Sequence, residues 1–299
     1  MKRILLLSLI CLLSLSAFAS AAPVRGGEKT RPQGPYFGQT PPDTTPKIFA
    51  PGVISSTGAI VIALTFSPDG RELCYSLYGG PMARLMLSRL EKDGWTEPRE
   101  ASFSKGFHAQ EPHIGPDGQR LYFGWEKPQP VTNSSNCAIW VVEKTAGGDW
   151  GEARYHGPGM SVSVARNGNL YMTDIGRLAG GGIIVFPSTG GRYGSPRQLI
   201  EGDHSCIAPD EGYILFDSER RGGQGGADLW VSFRRPDGSW SGGLNLGNGV
   251  NTPADNWIPS ISPDGKYIFY TTGEDVYWVS AKILDPLKAK ALGSANPDK

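Results

Sequence analysis

Residues 262–265 read Ser-Pro-Asp-Gly, and residues 266–271 continue as Lys-Tyr-Ile-Phe-Tyr-Thr. Proline presets the first angle of a tight turn, aspartate can bond to its own backbone, and glycine accepts the positive φ that such a turn needs. The aromatic and β-branched residues that follow favour a β-strand. The stretch therefore predicts a turn between two strands, with a structural role for its aspartate.

This turn phrase recurs along the chain, and its recurrence decides the fold. Its Asp, or the Asn that replaces it, stands at positions 69, 117, 167, 210 and 264, so the steps are 48, 50, 43 and 54 residues. Each copy is followed by an alternating strand, and most copies by a third strand and a turn with an aromatic residue. Repeats of about 40–50 residues with four strands are typical of propeller blades. The sequence therefore predicts an all-β propeller.

The last repeat is incomplete, and this bears on the number of blades. Aromatic turns follow the first four phrases, but the fifth phrase has only three strands after it. A fourth strand must come from elsewhere, because an unpaired sheet edge is a liability. Residues 48–56 can supply it. We predict five four-stranded blades closed by an N-terminal strand, with six blades as the alternative if residues 24–64 contain further strands.

The repeats also resemble a known family. The pattern Pro-x-Ile-Ser-Pro-Asp-Gly-Lys-x-Ile-x-Tyr over residues 259–270 resembles the TolB-type WD40-like β-propeller repeat. Residues 222–240, 36–39 and 49–52 are similar to the corresponding segments of exported bacterial members. The resemblance covers residues 36–285 and implies the propeller fold. It implies no single function, because repeats of this family serve both docking proteins and enzymes.

The N-terminus predicts export. Lys2 and Arg3 precede an apolar run over residues 4–15, and alanines at 17, 19, 21 and 22 offer cleavage sites. The run is too short to span a bilayer. We therefore predict a signal peptide over 1–22, a flexible linker over 23–35, the propeller over 36–285 and a tail over 286–299. The expected location is periplasmic or secreted, with no membrane span.

Charge and cysteine content exclude several classes of partner. Removing Lys2 and Arg3 from 29 basic residues leaves 27, against 29 acidic ones, so nothing in the charge favours nucleic acid or anionic lipid. Cys74, Cys137 and Cys206 remain after export, without metal-ligand spacing. The glycine-rich stretches at 180–182 and 222–226 precede strands, so they form no phosphate loop. We predict no metal and no cofactor.

Propeller topology sorts the polar residues by face. The turns with Pro-Asp-Gly lie on one face, and the connections into each innermost strand lie on the other, around the channel mouth. If the repeats align, an acidic ring with nearby cations surrounds this mouth and suits a polar ligand. The candidate ligand-binding residues before or within the innermost strands are Glu111, His113, Asp203, His204, Asp255, Asn256 and Trp257. Those in the outer loops are Lys127, Arg177, Arg220 and Arg221.

Two functions fit this mouth. The favoured one is an exported, non-catalytic propeller that binds an envelope protein or a cell-wall glycan. The alternative is a carbohydrate-active hydrolase or lyase, in which Glu111 pairs with Asp203 or Asp255, or in which His113 or His204 acts as a base. Binding is favoured because the sequence has no nucleophile elbow and no metal-binding cluster.

Overall fold

The computed structural model describes residues 31–55, 58–130, 137–175 and 178–293. Within them the chain forms five antiparallel sheets, which are the five blades of a propeller. This confirms the predicted five-bladed ring, and the six-bladed alternative is wrong. The predicted signal peptide, the linker up to residue 30 and Arg177 lie outside the described residues.

Each blade has four strands, named a to d from the channel outward. Blade 1 consists of Ile60–Phe66, Glu72–Tyr78, Arg84–Glu91 and Arg99–Glu100, with Gly94–Trp95 paired to the end of strand c. Blade 2 consists of Ala109–Ile114, Arg120–Trp125, Ala138–Glu143 and Arg154–Pro158. Blade 3 consists of Met160–Val164, Leu170–Asp174, Gly182–Phe186 and Arg197–Ile200, with a hairpin of Ser188–Thr189 and Arg192–Tyr193. Blade 4 consists of Asp203–Ile207, Tyr213–Ser218, Asp228–Phe233 and Leu244–Asn245. Blade 5 consists of Trp257–Ile261, Tyr267–Thr271, Val276–Ser280 and Lys47–Ile48.

The Pro-Asp-Gly phrases form the turns between strands a and b. In the first, the Asp69 carboxylate accepts the backbone N–H of Arg71 at 3.0 Å, and Gly70 has φ +69°. The Asp264 carboxylate accepts the N–H of Lys266 at 3.1 Å in the fifth. These aspartates hold turns, as their spacing predicts. The face that carries these turns and the c–d turns is called the turn face, and the opposite face is called the mouth face.

The ring closes through the N-terminal segment. Lys47 pairs with Trp278 and Ile48 with Tyr277, so the fourth strand of blade 5 comes from the front of the chain. Phe49 follows directly and is fully buried. Its ring packs against Phe269 and Trp278 of blade 5, with centroids 5.0 and 5.4 Å away, and against Phe66 of blade 1 at 6.1 Å. An aromatic core therefore joins the first and last blades.

The chain segments that precede and follow the propeller pack against it. Arg31 pairs with Glu91 at 3.0 Å, and Trp95 donates its backbone N–H to Pro32 O, so the ordered chain begins before Tyr36. Short 3-10 helices span Pro35–Gly38, Ser102–Ser104 and Ala281–Leu284, and the α-helix Asp285–Leu292 packs its apolar side chains beside blades 4 and 5. No helix in the described ranges is long and apolar enough to cross a membrane.

Candidate functional site

Strand a of every blade carries the same irregularity. Its pairing with strand b shifts by one residue, and the extra residue adopts a left-handed conformation although it is not glycine. Such backbone is unfavourable for these residue types and persists only where its surroundings fix it. The five residues are Ala63, Glu111, Ser161, His204 and Ile258. They mark one layer around the channel.

In blades 2, 4 and 5, a side chain of the preceding blade accepts the backbone N–H of the left-handed residue in this layer. Ser76 Oγ accepts the N–H of Glu111 at 2.9 Å, and Thr173 Oγ1 accepts that of His204 at 3.1 Å. In the same position of blade 4, the Asp217 carboxylate accepts the N–H of Ile258 at 2.9 Å. Each bond links two blades, so these polar residues are first of all part of the ring's construction.

A second layer repeats this arrangement two residues further along strand a. The Thr65 hydroxyl accepts the N–H of Ile114 at 3.1 Å, and the Ser163 hydroxyl accepts that of Ile207 at 3.1 Å. In blade 2 the same position is His113, whose Nε2 accepts the N–H of Val164 at 3.1 Å. His113, a predicted ligand-binding residue, therefore uses its acceptor nitrogen to join two blades.

An ion pair crosses the channel in the first layer. His204 of blade 4 lies with Nε2 3.7 Å from Glu111 Oε1 of blade 2, so the contact passes over blade 3. On the other side of the imidazole, Asp217 Oδ1 lies 3.0 Å from His204 Nδ1. Trp257 packs edge-on against the imidazole at 5.8 Å. Both carboxylates are buried, and Glu111 Oε2 has no hydrogen-bond partner among the described groups.

Burial and the two acids act on the imidazole in opposite directions. Burial lowers the pKa of His204. The hydrogen bond and charge of Asp217 and the charge of Glu111 raise it by more than burial lowers it, so the pKa is about 9. Burial raises the pKa of the Glu111 carboxyl, while His204 and hydrogen bonds from Ser161 lower it in part. At neutral pH His204 is therefore a buried cation held between carboxyl groups, and the site is a closed charge cluster.

The two channel histidines are expected to titrate far apart. Burial disfavours the charged imidazole and lowers the pKa of His113 to about 4, and its Nε2 accepts a backbone N–H. A histidine with this shift keeps its contribution to stability above its ordinary pKa of about 6.5 and loses it as the pH falls toward 4. In NMR titrations, the His113 ring signals should stay constant down to about pH 5, whereas those of His204 should move near pH 9. Titration of both rings near pH 6.5 would contradict these environments.

The channel offers little space for a ligand. Below the ion pair, the wall residues enclose a cavity of about 30 Å³, and a second cavity near the turn face has about 90 Å³. Small-molecule sites usually measure about 300–1,000 Å³. Four prolines and Arg166, each the second residue of a turn phrase, line the second cavity. A ligand at the mouth must therefore lie on the mouth face and cannot fill the channel.

The structure brings together some predicted site residues and separates others. Glu111, His204 and Trp257 meet at the channel, with Asp203 beside them at the mouth. The predicted alignment of the repeats is incorrect in blade 5: Ile258, which lies six residues before the turn aspartate as Glu111 and His204 do, is the residue level with them. Asp255 and Asn256 precede the strand.

Asp255 and Asn256 hold the loop in which they lie. Asp255 accepts the backbone N–H of Ala227 at 2.9 Å. Asn256 is buried, and its Oδ1 accepts from the N–H of Thr252 at 2.7 Å and from its hydroxyl at 3.1 Å. The predicted acidic ring is therefore reduced to Glu111 and Asp203.

The predicted cations lie away from the ion pair. Lys127 Nζ sits over the Trp125 and Trp140 rings, 4.8 and 5.3 Å from their centroids. Arg220 packs over the rings of Phe216 and Trp230 at 5.1 and 5.2 Å. Arg221 is exposed. The first two cover aromatic surface near the outer strands, which explains their positions without a ligand.

Sequence reasoning missed Asp217, which orients His204. It is the last residue but one of strand b in blade 4, and the other blades carry Ser76, Gly124, Thr173 and Thr271 at this position. A carboxylate within an otherwise apolar strand was a signal that could have found it. The described residues contain no group of three His, Cys, Asp or Glu side chains that could hold a metal ion.

Fold and site together define a five-bladed β-propeller with a closed channel. Comparison of the sequence with protein-family models and with curated proteins finds no match. The solved structures to which the chain is similar include TolB-like propellers. A putative TolB from Agrobacterium tumefaciens is 19% identical with a TM-score of 0.47, over 71% of this chain and 69% of that one. The gluconolactonase XC5397 from Xanthomonas campestris is 14% identical with a TM-score of 0.47, over 83% and 98%.

A third similar structure is the catalytic domain of the GH62 α-L-arabinofuranosidase from Coprinopsis cinerea. It is 10% identical with a TM-score of 0.46, over 80% of this chain and 94% of that one. The three proteins differ in function, and these likenesses are too distant to choose among them. The function must be inferred from the residues of this chain.

Proposed function

We propose that this chain is an exported, non-catalytic propeller that binds a protein partner through its mouth face. The observation that carries the proposal is the position of its exposed apolar side chains. Six large hydrophobic residues of the described ranges are exposed by 38% or more, and five belong to loops or strand ends of the mouth face. These five, here called the apolar mouth residues, are Ile60, Met82, Phe107, Ile175 and Leu178. Tyr193 is the sixth and lies on the turn face.

The apolar mouth residues come from three blades and lie on the same face because of the topology. Ile60 begins strand a of blade 1, and Met82 lies between strands b and c of the same blade. Phe107 precedes strand a of blade 2, and Ile175 and Leu178 follow strand b of blade 3. Exposed apolar groups on one face of a soluble protein are typical of a docking surface for another protein.

Residues 178–181, which follow strand b of blade 3, are held by hydrogen bonds to one carboxylate. The buried Asp174 carboxylate accepts backbone N–H groups from Leu178 at 3.1 Å, Ala179 at 2.6 Å and Gly181 at 3.2 Å. Loops that are already ordered lose less conformational entropy on binding. Asp174 therefore presents Leu178 to a partner at a reduced entropic cost.

The charge cluster below this surface favours binding over catalysis. A glycosidase needs one carboxylic acid and one carboxylate placed on either side of the bond to be broken. Here Glu111 and Asp217 both face His204, and the cavity beneath them has about 30 Å³. The alternative of a carbohydrate hydrolase or lyase would therefore require the ion pair to open first.

Site-specific photo-crosslinking of the full exported chain tests the proposal. Benzoylphenylalanine at Met82 or Ile175 is expected to give a discrete cross-linked species in cell envelopes, and the same probe at Lys92 or Asp237 on the turn face is not. A second variant with Ile175→Ser and Leu178→Ser should reduce the cross-link from position 82 about tenfold, because apolar anchors dominate binding energy.

The serine variants are matched by a folding control. Both residues are exposed, so the double substitution should change the unfolding free energy by no more than about 1 kcal/mol. Equal cross-linking from both faces, or none from the mouth positions, would refute docking at the mouth face.

A further inference from the structure

The grooves between neighbouring blades are filled differently on the turn face. Between blades 1 and 2, the Trp150 ring occupies the groove and donates its N–H to Glu72 Oε1 at 2.9 Å. Arg89 at 3.0 Å and Lys144 at 3.1 Å also reach the buried Glu72 carboxylate. An indole and an ion cluster around Glu72 therefore close this groove.

The corresponding groove between blades 2 and 3 is open. The position of Glu72 is taken by Arg120, and its partner across the strands changes from Arg89 to Glu143. The position of Trp150 is taken by Tyr193, whose surface remains 40% exposed. The groove has a volume of about 690 Å³, within the usual range for ligand sites.

Aromatic rings form one wall of this groove. The Tyr122 ring lies 5.5 Å from His156, and His156 lies 5.9 Å from Tyr193, in edge-to-face arrangements. The additional hairpin of blade 3 supplies Tyr193. Its Ser188 N–H is bonded to Asn169 Oδ1 at 2.8 Å, and Gly190 and Gly191 form its tip with positive φ. The hairpin thus holds an exposed ring beside the groove.

Guanidinium groups line the groove together with the rings. Arg120 and Arg154 both pair with Glu143, at 3.4 and 2.8 Å. The Arg166 guanidinium makes no hydrogen bond or ion pair with the described residues. Three arginines thus face two carboxylates, Glu143 and Asp117, and the lining has a net positive charge.

Arg166 stands where the other four turn phrases have proline, at positions 68, 116, 209 and 263. Proline suits this turn position because it fixes φ. The arginine gives up that advantage in the turn of blade 3, which lines the open groove together with the turn of blade 2. Its backbone N–H donates to Pro209 O at 2.9 Å, so the turn is kept while the side chain remains available.

From this arrangement we propose that the groove between blades 2 and 3 binds the hexuronic acid units of an anionic polysaccharide. A guanidinium pairs with a sugar carboxylate through two N–H groups. The carboxylates and the side chains of Asn167 and Ser188 supply acceptors for sugar hydroxyls. The Tyr193 ring offers an apolar surface to the sugar face. A site for a bare anion needs donors only, and this groove provides donors, acceptors and aromatic surface together.

Calorimetric titration of the full exported chain with trigalacturonate tests the assignment. The chain is expected to bind trigalacturonate and to bind the neutral galactotriose at least about tenfold more weakly, because a charge-assisted pair is lost. Arg166→Gln should weaken trigalacturonate binding about tenfold, and Tyr193→Ala should weaken it as well. Arg99→Gln, an exposed arginine on strand d of blade 1, is the matched control and should bind as the unaltered chain does.

Competing probes separate a sugar site from an anion site. Inorganic phosphate at the concentration of trigalacturonate should not displace it. Displacement by phosphate, equal affinity for galactotriose, absent trigalacturonate binding, or binding unchanged by Arg166→Gln would each overturn the assignment. Retained cross-linking from the mouth face in the Arg166 variant would show that the two surfaces act separately.

Discussion

Replacing Asp217 by alanine is expected to lower the unfolding free energy by about 3–5 kcal/mol, as for other buried charge pairs that lose one partner. The substitution leaves a buried, protonated His204 with only Glu111 at 3.7 Å. It also leaves the Ile258 N–H without the acceptor that fixes its left-handed conformation. Urea unfolding at pH 6 measures the loss.

The pH dependence of the stability loss tests whether the charge on His204 causes it. The pKa of His204 is about 9 in the folded chain, above the ordinary 6.5, so its stabilisation is complete below about pH 6.5 and disappears as the pH rises through 9. The loss of unfolding free energy in the Asp217→Ala chain should therefore be largest at or below pH 6.5 and should decrease toward pH 9. A shift of this size corresponds to about 3 kcal/mol.

Asp203→Ala is the matched control. This carboxylate also acts on His204 through its charge, but it is exposed, and the imidazole's hydrogen-bond and ion-pair partners among the described residues are Asp217 and Glu111. Exposed charge pairs contribute about 0–1 kcal/mol, so the control should unfold almost as the unaltered chain does. A deficit of Asp217→Ala that is under 1 kcal/mol, or that does not change between pH 6.5 and 9, would contradict a charged His204 at the channel.

The repeat could be predicted from sequence because its information is local. The turn that contains Asp264 and Gly265 depends on residues next to each other, and the alternating strand after it follows directly. The closing strand could be predicted because a sheet edge must be paired, and the structure pairs Lys47–Ile48 with the last blade.

The site was less well predicted than the fold, because the repeats were aligned by the residues that enter strand a, and the connections into strand a differ in length. Counting back six residues from each turn Asp or Asn brings His204 level with Glu111 and leaves Asn256 outside the channel layer. The turn phrase was therefore the local signal that would have aligned the repeats. The apolar mouth residues were missed for a different reason: an isolated Met82 or Ile175 in a loop has no periodic pattern, and only the blade topology shows that they share a face.

The second large effect is expected at the ring closure. Phe49→Ala should lower the unfolding free energy by about 3–5 kcal/mol, the usual cost of removing a buried phenylalanine. Phe49 is fully buried and contacts blade 1 through Phe66 and blade 5 through Phe269 and Trp278. Its loss therefore weakens the junction between the first and last blades, as well as one blade's core.

The closing strand makes this junction sensitive. Lys47–Ile48 has only two paired residues, and Phe49 continues it with one backbone bond to Val276 O at 2.8 Å. Without the Phe49 ring, the segment should detach more often and become susceptible to proteases near residues 40–50, while the edge of blade 5 is exposed. Phe107→Ala removes the same side chain from the mouth face, where it is 38% exposed, and should cost less than about 1 kcal/mol. If both variants lost equal stability, or if Phe49→Ala left proteolysis of this segment unchanged, the aromatic core around Phe49 would not be what closes the ring.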